Sequence, residues 1–272
     1  MGVPPVRPGG LDLRAGERAY LVGRASGGTL SVGVVGVKGL IFEELNGGAS
    51  CRTYLIACAR TREAIIVDPV LELVPGYLRR LGQDRLQLLA TVDTHTHADH
   101  LSGGRELARM QDALYVGAPA LAVDRVLHDG EYMNLGDLHV KVWASPGHTS
   151  DGIVLLLEDR VLTGNTLLIG STGRTDLPSG DAEDAYESLE RLLSLPSHVL
   201  IYPAHDAGGR TFSTIGHERV TNPHLRMDRA TFLETLRQPR TDLPTRLMES
   251  LAYNSRPREE REVPVAEAAY GL

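Results

Sequence analysis

Three imidazoles and one carboxylate stand within the seven residues Thr94-His95-Thr96-His97-Ala98-Asp99-His100. Neutral imidazole and carboxylate are the usual protein ligands of zinc and iron. On an extended segment, alternate side chains point the same way, so His95 and His97 can converge on one point. The motif directly follows the apolar run Leu86 to Val92, which reads as a buried strand. A polar loop that carried two histidines by chance would not explain the third histidine, the aspartate or the strand. The segment is therefore expected to bind metal.

Further candidate ligands follow other strand-like runs. Ser145-Pro146-Gly147-His148-Thr149 comes after Leu138 to Trp143, and Tyr202-Pro203-Ala204-His205-Asp206 comes after Val199 to Ile201. A lone Pro-Gly-His is usually a turn. In this order, behind a His-x-His-x-Asp-His motif, His148 and His205 become ligand candidates.

The elements that would hold these loops alternate in type. Strands are expected at Leu40–Leu45, Arg52–Ala57, Ala64–Asp68, Ala113–Val116, Leu138–Trp143, Ile153–Leu157, Val161–Thr163 and Val199–Tyr202. Helices are expected at Leu71–Leu81, Leu101–Gln111 and Asp181–Leu193, the last with Asp181 as its cap and Glu183 and Asp184 in its first turn. After Gly216 the chain reads as polar helix. Residues 1–38, rich in glycine and valine, read as a flexible arm or an extra hairpin, 39–255 as the main domain, and 256–272 as a charged tail. Periodicity alone says α/β.

Composition narrows the classes. The 272 residues include 42% hydrophobic and 23% charged, enough to bury a sizeable core. A formal charge of -7 and 5% aromatic residues argue against a nucleic-acid surface. No run approaches the roughly 20 apolar residues that span a bilayer, and no secretion leader is expected. Cys51 and Cys58 read as lying on opposite faces of one strand, hence as reduced thiols in a cytoplasmic protein. The plain reading of Cys51 is a small buried residue; a reactive thiol beside the metal is the alternative.

The order of these motifs resembles that of the metallo-β-lactamase superfamily, and the resemblance implies a four-layer αββα sandwich. Thr163-Gly164-Asn165-Thr166-Leu167-Leu168-Ile169-Gly170, then Gly173-Arg174-Thr175-Asp176, resembles the persulfide dioxygenases. Thr221-Asn222-Pro223, Pro244 and Asn254 are similar to that family's C-terminal signature, so the resemblance runs from about Leu40 to Asn254. It implies a non-haem iron(II) enzyme, with zinc as the alternative metal, that oxidises glutathione persulfide with O2 to sulfite and thiol. It further implies His95 and His148 as iron ligands, and Arg174 with Thr149 as substrate contacts. An ion pair between Arg174 and Asp176 or Asp181 is the competing structural reading. His97, Asp99, His100 and His205 belong to the superfamily's two-metal arrangement. In the dioxygenases they would stand behind the ligands or go unused; in a zinc thioester hydrolase of the glyoxalase II type, Asp99 would help to position or deprotonate water. A homodimer is also implied.

One position departs from the family. Where the persulfide dioxygenases carry an acidic ligand, this chain has Asn165. An amide oxygen can coordinate a metal, but it is a neutral and weaker donor. Three readings stay open: an introduced isosteric substitution, a natural change that retunes the site, and a pseudoenzyme that binds thiol or metal without turnover. In the natural case, His97 or Asp99 would swing in to replace the lost charge.

Overall fold

Alternate residues of the early strands bury against different layers. In β2 (Tyr54–Cys58) and β3 (Glu63–Val67), Ile56, Ile65 and Val67 join Val140, Val142, Leu155 and Leu162 in one apolar cluster. Their neighbours Leu55, Ala57, Ala64 and Ile66 pack instead with Val74, Tyr77, Leu81 and Leu107. A two-residue period that is apolar on both faces makes a strand sandwiched between a second sheet and a helical layer.

The computed structural model describes residues 37, 39–46, 51–206 and 208–256. The arm expected at 1–38 and the tail expected at 256–272 lie almost wholly outside the described residues. The first sheet has the order β1 (Leu40–Glu44), β2, β3, β4 (Gln87–Asp93), β5 (Leu114–Gly117), β6 (Arg125–Val126). The second contains β7 (Tyr132–Leu135), β8 (Leu138–Ala144), β9 (Ile153–Leu156) and β10 (Arg160–Gly164), with β13 (Leu200–Pro203) and β14 (Ser213–Thr214) beyond β10. A small hairpin, β11 (Leu167–Leu168) and β12 (Ser171–Thr172), projects beside them.

Helices α1 (Val74–Gln83) and α2 (Gly104–Met110) bring apolar residues to the outer face of the first sheet. Helices α3 (Ala182–Leu193) and α5 (Arg229–Arg237) do the same for the second, where Leu189, Leu192, Phe232 and Leu236 meet Val154, Val161 and Ile201. Helices α4 (Ile215–Thr221) and α6 (Leu247–Asn254) complete the chain. These are the four layers expected, and the fold is the metallo-β-lactamase αββα sandwich.

Asp181 caps α3 as expected, accepting from Glu183 N at 2.7 Å and Asp184 N at 3.0 Å. Several boundaries shift, and the helix expected at Leu101–Gln111 runs only from Gly104 to Met110. The helix expected from Leu71 begins with a 3-10 turn, and α1 proper starts at Val74, with Pro75 in the first turn, where a missing N–H costs nothing. The second strand starts at Tyr54 rather than Arg52, because Arg52 N donates to Ala204 O, just past the end of β13, at 2.8 Å. Cys51 therefore lies ahead of the strand that carries Cys58, and both thiols are free and buried. Among the described residues no helix is long and apolar enough to cross a membrane.

Candidate metal centre

The candidate ligands all follow strands, and the strands deliver them to one rim. In the second sheet β8 is antiparallel to β9, β9 is antiparallel to β10, and β10 is parallel to β13. The loops after β8, β10 and β13 therefore emerge together, carrying His148, Asn165 and His205. The loop after β4 brings His95, His97, Asp99 and His100 to the same rim, where Ile153 N donates to Thr94 O across the sandwich at 2.8 Å. Gly147 lets the His148 turn press against α3: with φ at 132°, a side chain there would be strained, and its Cβ would fall 2.3 Å from Ala185 Cα.

His95, His148 and Asn165 meet. Asn165 Nδ2 lies 3.3 Å from His95 Nε2 and 3.1 Å from His148 Nε2. The other ring nitrogens settle the tautomers. His148 Nδ1 donates to Arg174 O at 2.8 Å, so its Nε2 bears a lone pair. Thr94 Oγ1 gives its proton to Asp68 Oδ2 at 2.9 Å and so accepts from His95 Nδ1, also at 2.9 Å, which leaves the His95 Nε2 lone pair pointing at the same place. Burial and the neighbouring histidines hold the His95 pKa well below the ordinary imidazole value. Burial, against the pull of the Arg174 carbonyl, lowers that of His148 to about 4. Two neutral imidazoles whose lone pairs converge on one hydrogen-bond donor would hold a cation in its place, so these residues fit a transition metal.

A hydrogen-bonded chain backs this group. His205 Nδ1 lies 2.8 Å from Asn165 Oδ1, and His205 Nε2 lies 3.0 Å from Asp99 Oδ2. His100 Nδ1 lies 3.2 Å from Asp99 Oδ1. Burial alone would raise the Asp99 pKa, but hydrogen bonds from His100 and His205 hold it well below the usual carboxylate range. His97 is held from the other side: its Nε2 meets Asp68 Oδ1 at 3.0 Å, and its ring lies 4.2 Å from that of His95. Burial opposes a charge on His97, yet the Asp68 carboxylate outweighs it and raises the pKa well above the ordinary value.

Thr149 is buried between His148 and Ser150, with its hydroxyl lacking a partner among the described residues, and it lines a small cleft with His95 and Asn165. Arg174 is engaged within the protein. Its Nε and Nη2 hold the Asp176 carboxylate at 2.7 and 2.8 Å, and its Nη1 donates to Asp242 O at 2.7 Å. Its side chain is 9% exposed, and that of Asp176 is 10% exposed. What Arg174 supplies to the centre is its backbone carbonyl, on His148.

Three supporting residues were not picked out from the sequence as parts of the site. Asp68 binds Thr94 N at 2.7 Å as well as the Thr94 hydroxyl and His97. It ends β3 with φ at 52°, a left-handed conformation that aspartate tolerates, immediately before Pro69. Asp151 accepts from Thr96 Oγ1 at 2.7 Å, and Asn254 donates to the carbonyls of His97 and His100. An aspartate at a strand end before proline was a signal; nothing local pointed to Asp151.

Comparison with known proteins agrees with this geometry. The family model for the Metallo-beta-lactamase superfamily matches residues 46–123 and 109–205. The chain is 35% identical over 204 residues to the human protein named persulfide dioxygenase ETHE1, mitochondrial, covering 72% of this chain and 80% of that one. It is 38% identical over 160 residues to a hydroxyacylglutathione hydrolase of Tolumonas auensis, covering 56% of this chain and 61% of the relative. Among solved structures, ETHE1 from Myxococcus xanthus superimposes with a TM-score of 0.72 at 38% identity, covering 78% of this chain and 99% of that chain. The chain therefore belongs to the metallo-β-lactamase superfamily, on the persulfide dioxygenase side of it.

Proposed function

We propose that the protein is a mononuclear non-haem iron dioxygenase that oxidises a low-molecular-weight thiol persulfide, of the glutathione persulfide kind, to sulfite and free thiol. The observation that carries this reading is the convergence of two neutral imidazoles, His95 and His148, on the Asn165 side chain. The similarity to the persulfide dioxygenases supports the reaction class. Iron(II), when bound, would supply the means to bring O2 and the terminal persulfide sulfur into reaction.

The protein's part is position and charge. His95 and His148 would hold the metal through Nε2, each fixed by a partner on Nδ1. A half turn of the Asn165 amide would present Oδ1 to the ion and Nδ2 to His205 Nδ1. His205 Nδ1 would then accept from the amide while Nε2 donates to Asp99. Two imidazoles and an amide leave both positive charges of iron(II) uncompensated, so the metal should be held less tightly than with a carboxylate. The Thr149 hydroxyl, buried beside His148 without a partner among the described residues, is placed to bond substrate or ordered water.

The test is O2 uptake with glutathione persulfide after anaerobic iron(II) reconstitution, comparing this protein with Asn165→Asp. Uptake by both makes Asn165 a tolerated ligand, with the Asp variant holding iron at least 10-fold more tightly, the lower end of the effect typical for groups that support a ligand. Uptake by the Asp variant alone makes the chain an inherited scaffold disabled at one atom. Uptake by neither sinks the assignment.

A zinc thioester hydrolase is the second reading, favoured by the hydroxyacylglutathione hydrolase similarity and the Asp99–His205 pair. Asn165 weighs against it, because in that arrangement the same position bridges two metals. Hydrolysis of S-lactoylglutathione by the zinc-loaded protein would select it.

A further inference from the structure

The segment from Asn165 to Arg174 begins with one member of the metal centre and ends with the carbonyl that fixes another, since Arg174 O accepts from His148 Nδ1 at 2.8 Å. Between them lies the hairpin β11–β12, paired only at Leu167 with Thr172 and at Leu168 with Ser171. A two-stranded pair that short does not hold its own shape in water. It is held from outside, where four successive residues each meet a side chain from a later stretch of chain. Ile169 O accepts from Arg210 Nη2 at 2.7 Å, and Gly170 N donates to Glu218 Oε2 at 2.7 Å. Ser171 O accepts from Asn222 Nδ2 at 2.9 Å, and Thr172 Oγ1 lies 2.7 Å from His224 Nδ1. Glu218 and Asn222 are both fully buried. A buried carboxylate is costly unless its oxygens are satisfied. Three neutral donors satisfy Glu218: Gly170 N, Asn222 Nδ2 at 3.0 Å and Ser213 Oγ at 2.6 Å.

We propose that Glu218 and Asn222 are positioning residues of the metal centre: they hold the β11–β12 turn so that Asn165 and His148 keep their relative place. The coupling runs through the backbone. Gly173 N donates to Thr166 O at 3.4 Å. Gly173 also passes so close to the centre that a Cβ there would collide with Asn165 O and lie 3.3 Å from His148 Cβ. A hairpin released from α4 would therefore move Asn165 and the Arg174 carbonyl together, displacing one ligand and freeing the ring of the other. This role rests on the metal centre of the proposed function and is the same whichever reaction that centre serves.

The test is metal binding and needs no turnover. The metal-free full-length protein is titrated anaerobically with cobalt(II), following the visible absorption band that His148→Ala abolishes, at a temperature where circular dichroism shows each variant folded. Glu218→Ala is expected to weaken cobalt binding roughly 10- to 100-fold, the range for groups that support a metal ligand, and to alter the band. Glu218→Gln is expected to restore both. Its amide oxygen takes the Gly170 and Asn222 donors, and its amide nitrogen donates to Ser213, whose hydroxyl can turn to accept. Asn222→Ala, which leaves Glu218 bonded to Gly170 and Ser213, should weaken binding in the same direction and decides the outcome should Glu218→Ala not fold. A merely structural pair would lower Tm and leave the cobalt affinity and band of the folded protein unchanged. That result, or a Gln variant as weak as the Ala variant, would overturn the proposal. A parent protein that binds no cobalt would overturn the centre itself, and this role with it. O2 uptake with persulfide decides the dioxygenase reading separately.

Discussion

Asn254, the last residue of α6, donates from Nδ2 to the His97 carbonyl at 2.8 Å across 157 residues of chain. The same nitrogen donates to His100 O at 2.9 Å, and Asn254 Oδ1 accepts from Ser102 N at 2.9 Å. One fully buried amide therefore ties three backbone groups of the metal loop to the C-terminal helix. Asn254→Ala would strand those groups in the interior, at roughly 1–3 kcal/mol for each one left unsatisfied. Urea or thermal unfolding should register a fall in stability, at about 2–4 °C of Tm per kcal/mol for a domain of this size. Metal affinity should fall with it; an unchanged Tm with unchanged metal content would remove Asn254 from the supporting role.

Acid should weaken the metal-free protein before its carboxylates titrate. His148 stays neutral in the fold down to about pH 4, and burial with the neighbouring histidines holds His95 well below the ordinary value, whereas an unfolded chain takes up these protons near that ordinary value. Between about pH 6.5 and pH 4 the unfolded state thus binds more protons, and stability drops as pH falls through that window. His97 acts in the opposite sense: its raised pKa contributes stability below the ordinary value that is lost as pH climbs through the folded one. Urea unfolding from pH 4 to pH 9 should trace a maximum near neutrality, and His148→Gln should flatten the acid side. An acid limb that His148→Gln leaves untouched would contradict this account.

Arg174 is expected to act as a brace. Its bidentate grip on Asp176 and its bond to Asp242 O tie the loop after β12 to the segment between α5 and α6. Arg174→Lys keeps the charge but loses the fork, so it should destabilise the fold, and Arg174→Ala more so because it leaves the nearly buried Asp176 carboxylate with no cation and only the Arg240 N–H at 2.7 Å. The signature is a lowered Tm with KM for the persulfide moving by less than about 10-fold, or 1.4 kcal/mol. A large rise in KM at unchanged Tm would instead make Arg174 a substrate contact.

Gly147 admits no side chain. Gly147→Ala would force a Cβ to 2.3 Å from Ala185 N and Cα, closer than any real packing contact, so either the turn or α3 must move. Since His148 follows directly, the variant should lose metal affinity as well as stability, while secondary structure by circular dichroism stays near that of the parent. Unchanged metal affinity in Gly147→Ala would show that the turn does not set the position of His148.

The succession of strands and helices and the rim of histidine loops were legible in the sequence because both follow from short-range pattern, whereas the four-layer sandwich was implied by the resemblance to the superfamily. Short apolar runs bounded by turns mark the strands, the 3.6-residue period marks α3, and ligand-type residues just beyond strand ends mark the site. His95 and His148 were chosen this way and Asn165 by its place in the family motif, and the three do meet. Tertiary structure alone decided which nitrogen of each ring faces the centre, because that depends on Asp68, Asp99 and the Arg174 carbonyl, partners brought in by sheet packing. It also decided that Arg174 closes on Asp176, a choice between two readings the sequence left open. Cys51 was read as a small buried residue, which it is; its place beside His97 and His100 comes from tertiary packing, in which its neighbour Arg52 bonds Ala204 just past β13. Asn254 is the limiting case: its amide touches carbonyls more than 150 residues earlier, and no spacing along a chain encodes a contact made by docking two distant elements.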